Sequence, residues 1–124
     1  MRLLFLLLCF PLCFHAQDNI KFNRPDSVQA RYILLANENY SIDSAYTTLG
    51  ILRSNIRDGA LFTDLAFQYS NDKLTSKKGG YLGWFKEGVM VPEFNEACFT
   101  ANIGDLVIVY TRFGTCLIHI IDTR

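Results

Sequence analysis

The sequence is short of the residues that carry metal and nucleophilic chemistry. Among 124 residues there are two histidines and four cysteines. His15, Cys9 and Cys13 fall in the first 16 residues. That leaves His119, Cys98 and Cys116, too few and too scattered for metal-ligand spacing. Cys116 and His119 are three apart in a stretch that reads as a strand, so they point to opposite faces and form no nucleophilic pair. Neither a metal nor a cofactor is expected. Charge of one sign is lacking as well: 12 Lys and Arg offset 12 Asp and Glu. A neutral chain has no broad electrostatic pull toward nucleic acid or membrane, and no nucleic-acid partner is expected.

Long apolar runs are scarce too. The one that stands out, Leu3 to Phe14, falls short of the roughly 20 residues needed to span a bilayer. Preceded by Arg2 and followed by Ala16, it reads as a secretory signal peptide over residues 1–16, which would make the protein exported, periplasmic or envelope-associated. Cys9 and Cys13 each follow a leucine, where a lipidation site would want a small residue. Residues 17–29 are polar and read as a flexible lead-in.

What the chain does have is a globular composition, with 50% hydrophobic and 19% charged residues, and a length that allows one domain, expected over 30–124. "RYILLA", 31–36, has strand character. Ala45, Leu49, Leu52 and Ile56 are spaced as one face of a helix over 43–57, and Gly59 sits where a left-handed cap wants glycine. Phe62, Leu65, Ala66 and Tyr69 mark a second helix. Residues 71–80 are polar and hold Lys73, Lys77 and Lys78, which reads as a solvated loop. "YLGWF" is extended. "VPEFNEACF" fits a helix with Pro92 in its first turn. "DLVIVYT" and "CLIHIID" flank a Gly114 turn as a hairpin. The last strand is apolar on both faces: Cys116, Ile118 and Ile120 share one, Leu117, His119 and Ile121 the other. It is therefore expected to be central in its sheet, with His119 on the helix-covered side. The pattern predicts an α+β domain with a mostly antiparallel sheet.

Three glycines within five residues, Gly79, Gly80 and Gly83, precede a cluster of large apolar residues. "GALFTDLAFQYSND", "GGYLGWFKEGVMVPEFNEACF", "IGD" and "TRFGTCLIHIID", taken together, resemble the parvulin family of peptidyl-prolyl cis-trans isomerases, from about Ala30 to the C-terminus. The resemblance implies a four-stranded antiparallel sheet with about four helices in the order β-α-α-α-β-α-β-β. It implies an apolar cup for a substrate proline ring, carried here by Leu82, Met90 and Phe94 with Phe113 beside them, and Trp84 and Phe85 packed beneath. It also implies a polar cluster around the cup, at positions Tyr32, Asp72, Thr111 and Cys116. Asp72 and Thr111 match the family pattern. Tyr32 and Cys116 stand where the family typically has histidines. Asp72 could accept from Tyr32 or Thr111. Cys98 is implied to face the core and Cys116 the cup, as two free thiols. Some parvulins read a phosphorylated residue with a basic cluster after the first strand. "ANENYSID" has no Lys or Arg there, so no phosphate-dependent recognition is expected.

Two functions follow from these residues. One is a monomeric isomerase of Xaa-Pro bonds that assists the folding of exported proteins. The other is a catalytically weak module that holds proline-containing or unfolded segments, which the substitutions at Tyr32 and Cys116 favour.

Overall fold

The structure is a computed structural model that describes residues 24–124. The expected signal peptide, residues 1–16, and residues 17–23 of the expected lead-in lie outside the described residues. The elements run β1 (Ser27–Ala36), α1 (Ile42–Arg57), α2 (Phe62–Tyr69), α3 (Lys73–Ser76), β2 (Tyr81–Lys86), α4 (Pro92–Thr100), β3 (Leu106–Thr111) and β4 (Gly114–Thr123). This is the expected order. The four strands form one sheet in the order β2-β1-β4-β3, and every neighbouring pair is antiparallel.

β1 begins at Ser27, earlier than the lead-in expectation allowed. Residues 27–29 are strand: Val28 is fully buried, and the Ser27 amide donates to the Arg124 carbonyl at 2.9 Å. The polar look of "SVQ" concealed this, because Val28 is its only apolar residue. The third helix, α3, interrupts the polar stretch 71–80 that reads as a loop.

β1 and β4 are central, and each buries both faces. On one side Val28, Ala30, Ile118 and Ile120 pack with Phe85 of β2 and with Phe94, Cys98 and Phe99 of α4. On the other side Ile33, Leu35 and Leu117 pack against Ala45, Leu49 and Leu52 of α1 and Phe62 and Ala66 of α2. The alternation read from β4 is therefore what splits the core into two layers. His119 falls on the α1–α2 side, its ring 5.8 Å from that of Phe62. Trp84 departs from expectation. It pairs with Gln29 one position out of phase with Phe85, so it faces away from the α4 layer. Arg124 lies over its ring at 4.1 Å.

α1 starts at Ser41, whose hydroxyl accepts from the Ser44 amide at 3.2 Å, and it stops before Gly59 at φ +116°. Pro92 opens α4, where its missing N–H costs nothing.

The geometry that positions the site is at the outer edge of β1. The pairing of β1 with β2 slips between Ala30 and Arg31. Beyond that slip other segments take up the edge. The Tyr32 amide donates to the Gly80 carbonyl at 3.0 Å. The Leu34 amide donates to Ser70 Oγ at 3.1 Å, and the Ala36 amide to Asn71 Oδ1 at 2.8 Å. The Asn71 amide returns a bond to the Leu34 carbonyl at 2.7 Å. Buried backbone groups must be paired, and these side chains do it. Gly80 is required here: at φ +82° a Cβ would sit 2.2 Å from the Tyr32 carbonyl oxygen.

Among the described residues four buried side-chain atoms lack a hydrogen-bond partner: Arg24 Nε, Arg31 Nε, His119 Nδ1 and Thr115 Oγ1. The Thr115 hydroxyl, on the fully buried start of β4, makes no hydrogen bond. Thr115→Val should raise stability by about 1 kcal/mol, the cost of an unsatisfied buried hydroxyl. A urea titration with unchanged slope and a higher midpoint would bear this out; a lower midpoint would mean the hydroxyl is bonded.

Candidate functional site

On the α4 side of the sheet a cavity of about 410 Å³ opens to solvent. Its apolar walls are Leu34, Leu82, Val89, Met90, Val91 and Phe94, and its polar margin is Tyr32, Thr111 and Cys116. Phe113, from the β3–β4 turn, closes one side while remaining 56% exposed. Each wall follows from local structure. Leu82 is delivered by β2 after the glycine pair. Met90 and Val91 lie in the turn before Pro92, and Phe94 is one turn into α4. Leu34 and Cys116 are directly paired on β1 and β4. A larger depression, about 680 Å³, lies where β1 starts. Its walls are charged, and Arg24 there is already paired with Glu87 at 2.5 Å and Glu96 at 3.2 Å. The smaller, apolar cavity is the better place for an uncharged ligand.

The edge contacts along β1 carry residues 70–72 to the rim of the cup. Tyr32 Oη donates to Asp72 Oδ2 at 2.5 Å. Thr75 Oγ1 donates to the same oxygen at 2.8 Å. The other oxygen, Oδ1, accepts the Leu74 amide at 3.1 Å and so caps α3. The Tyr32 ring meets Phe94 edge-on, with centroids 5.5 Å apart. Tyr32 therefore ties the polar rim to the apolar wall.

All eight residues named from the sequence lie at or around this cavity, but the polar four do not form one cluster. Asp72 accepts from Tyr32, not from Thr111. The Thr111 hydroxyl donates to the Gly114 carbonyl at 3.1 Å and accepts the Phe113 amide at 3.2 Å, which fixes the hairpin turn. The Cys116 thiol turns toward the same carbonyl, with sulfur and oxygen 4.0 Å apart. Cys98 and Cys116 are free thiols, both buried. Leu34, Thr75, Val89 and Val91 went unnamed from the sequence. For Thr75 a signal existed: Asp72 and Thr75 have the spacing by which an N-cap residue meets the third residue of its helix.

The charge states follow from these contacts. Burial pushes the Asp72 carboxyl up, but hydrogen bonds from Tyr32, Thr75 and the Leu74 and Thr75 amides outweigh it and hold it below its ordinary value. Burial, then the bond to Asp72, pushes the Tyr32 hydroxyl well above its ordinary value. Burial pushes the Cys116 thiol up to about 12. At neutral pH the rim thus holds one carboxylate, one neutral phenol and one neutral thiol. The phenol's single proton is committed to Asp72, so its oxygen meets the cup as an acceptor. Lys73, Lys77 and Lys78 are exposed, and the β1–α1 loop, "NENYS", offers a phosphate no cation. Among the described residues no cluster of His, Cys, Asp or Glu has the makeup of a metal site.

The sheet order, the α4-side cup and the Tyr32–Asp72 rim together describe a parvulin-type peptidyl-prolyl isomerase domain. Residues 17–124 match the PPIC-type PPIase domain, and the chain belongs to that family. It is 38% identical over 98 residues to a foldase protein PrsA from Oceanobacillus iheyensis, covering 78% of this chain and 30% of that protein. It is 39% identical over 98 residues to a chaperone SurA from Nitrosococcus oceani, covering 77% of this chain and 23% of that one. The crystal structure of the peptidylprolyl isomerase PrsA from Bacillus anthracis matches with a TM-score of 0.69 and 29% identity, over 86% of this chain and 46% of that chain. The chain thus spans less than a third of the length of these two curated relatives.

The Asp72 carboxylate contributes to stability above its unfolded-state pKa. That contribution is lost only as pH falls through the depressed folded value. In a ¹³C carboxylate NMR titration Asp72 should therefore titrate below the ordinary aspartate value. Tyr32→Phe removes a donor and should move the midpoint upward. An unchanged midpoint would mean the phenol does not hold the carboxylate.

Proposed function

We propose that the cup isomerises Xaa-Pro peptide bonds of exported polypeptides and so assists their folding. The observation that carries this is the open apolar cavity walled by Leu82, Met90 and Phe94. A proline ring is apolar and compact, and a concave apolar wall would remove it from water.

Desolvation supplies the rate effect. Resonance gives the peptide bond a rotational barrier of about 18–20 kcal/mol. The twisted transition state has lost that resonance, so its carbonyl is less polarised than in the planar amide. A dry cup penalises the planar, more polar form and favours the twisted one. A 10⁴-fold acceleration needs only about 5.5 kcal/mol of such preference. No nucleophile takes part. Tyr32 supplies a fixed, neutral margin and a lone pair, with Asp72 holding its proton. Thr111 holds the turn that presents Phe113, and Cys116 floors the cup as a weakly polar group.

Export rests on the leader pattern of residues 1–16. No helix among the described residues is long and apolar enough to cross a membrane. The likeness to proteins named foldase and chaperone supports clients that are unfolded or folding. We read the domain as acting as a monomer without phosphate-dependent recognition.

One observation favours a second reading, a proline-binding module without turnover. The Tyr32 proton is bound to Asp72 and Cys116 is a weak donor, so no strong donor faces the prolyl nitrogen. Exchange NMR on Xaa-Pro peptides separates the two readings. Faster cis–trans exchange at substoichiometric protein supports the isomerase. Peptide shifts without faster exchange leave only the binder. Met90→Ala should cut turnover at least about tenfold, since it removes a wall of the cup while Met90 itself is only half-buried. The rate should also be flat from about pH 6 to pH 9, because no rim group titrates there and His119 lies on the other face of the sheet. A rate governed by a group titrating near pH 6.5, the ordinary histidine value, would contradict the mechanism.

A further inference from the structure

The geometry points to Thr75 as a positioning residue for the cup, acting through Asp72 on Tyr32. This inference rests on the isomerase reading for its rate effect, but its structural half stands apart from turnover.

The Asp72 carboxylate is fixed at both oxygens by different means. Oδ1 is held by backbone, through the Leu74 amide at 3.1 Å. Oδ2, the oxygen that receives the Tyr32 proton, is held by a side chain, Thr75 Oγ1 at 2.8 Å. The Asp72 carbonyl in turn accepts the Ser76 amide at 2.8 Å, which closes the turn under the carboxylate. Without the Thr75 hydroxyl the Oδ1 contact would still cap α3. Oδ2 would lose one of its two side-chain donors and keep Tyr32, with the Thr75 amide still beside the carboxylate, and the carboxylate plane would be freer to rock about its last torsion. Because Tyr32 packs edge-on against Phe94, play at Oδ2 passes to the apolar wall.

Thr75 also sets the strength of the pair. Two donors on one carboxylate oxygen share its charge, so the carboxylate stays ionised further into acid. The titratable groups facing this carboxylate are Tyr32 from β1 and, behind it, Cys116 from β4. Burial pushes both upward, so neither titrates in acid beside Asp72. Lys73, next on α3, is exposed. A residue that only capped or filled α3 would lower stability without touching the acid limb of the rate. A residue that positions Asp72 must move that limb.

Thr75→Val keeps the shape and removes the hydroxyl; Thr75→Ser keeps the hydroxyl and trims the methyl. In the full mature chain, kcat/KM of Thr75→Val on an Ala-Pro peptide should fall about fivefold, the worth of one hydrogen bond. Its acid limb and the Asp72 carboxylate midpoint by ¹³C NMR should both move up by about half a unit or more. Thr75→Ser should restore both. If the Asp72 midpoint stays put in Thr75→Val, or Thr75→Ser fails to restore it, the inference is overturned and Thr75 is only packing. If wild-type protein turns over no peptide, the isomerase reading fails. The midpoint and the affinity for the same peptide then decide Thr75: both shifted in Thr75→Val supports the positioning role, and both unchanged ends it.

Discussion

Past Arg31 the first strand loses its β2 partner while it is still buried, and its amides must find acceptors elsewhere. This need to satisfy one strand edge organises the rest of the site. Gly80, Ser70 and Asn71 supply the missing partners, and in doing so they draw residues 70–80 tightly along β1. Asp72 comes next in the chain after Asn71, so its carboxylate reaches Tyr32 without any separate device. The glycine pair passes the chain close over the Tyr32 carbonyl, and Leu82 emerges two residues later as a wall of the cup. The site is thus a by-product of backbone pairing: one seam places both the polar rim and an apolar wall.

The rim that results is electrostatically quiet. Its carboxylate is held ionised by donors, and its phenol and thiol are held neutral by burial. Such a rim neither donates strongly nor changes charge through the neutral range. What it offers a ligand is constancy of shape and a low local polarity, which suits a reaction whose barrier comes from amide resonance rather than from proton transfer. Tyrosine at residue 32 fits this arrangement. Its ring is long enough to reach Asp72 and still lie edge-on to Phe94.

Much of this was legible in the sequence, for identifiable reasons. The two-faced apolar pattern of "CLIHII" implied a central strand and put His119 on the far side from Cys116, and both follow from period-2 alternation. The helices α1 and α2 were marked by their spacing, α1 also by Gly59, and α4 by Pro92 in its first turn. The cup residues came from the resemblance and not from periodicity, since Met90 and Phe94 four apart look like any helix face. What escaped the reading depends on contacts between distant segments. Ser27–Gln29 look like a polar lead-in because only one of the three residues, Val28, is apolar. Trp84 was expected beneath the cup beside Phe85, because local sequence does not reveal the strand phase set by its pairing with Gln29. The partner of Asp72 was open between Tyr32 and Thr111, and the choice is made by the seam along β1. Thr75 went unread because its role lies in sharing an oxygen with a residue 43 positions away in the chain.

The central claim is that a proline ring occupies the cup between Leu82, Met90 and Phe94. The most direct measurement is an intermolecular NOE experiment on the chain from Gln17 onward with a proline-containing peptide and selectively labelled methyl and aromatic groups. Contacts from the prolyl ring protons to the Met90 methyl and the Phe94 ring are predicted. Contacts instead to the exposed Phe67 of α2, or to the exposed Leu61 just before that helix, would place the ligand elsewhere and contradict the account.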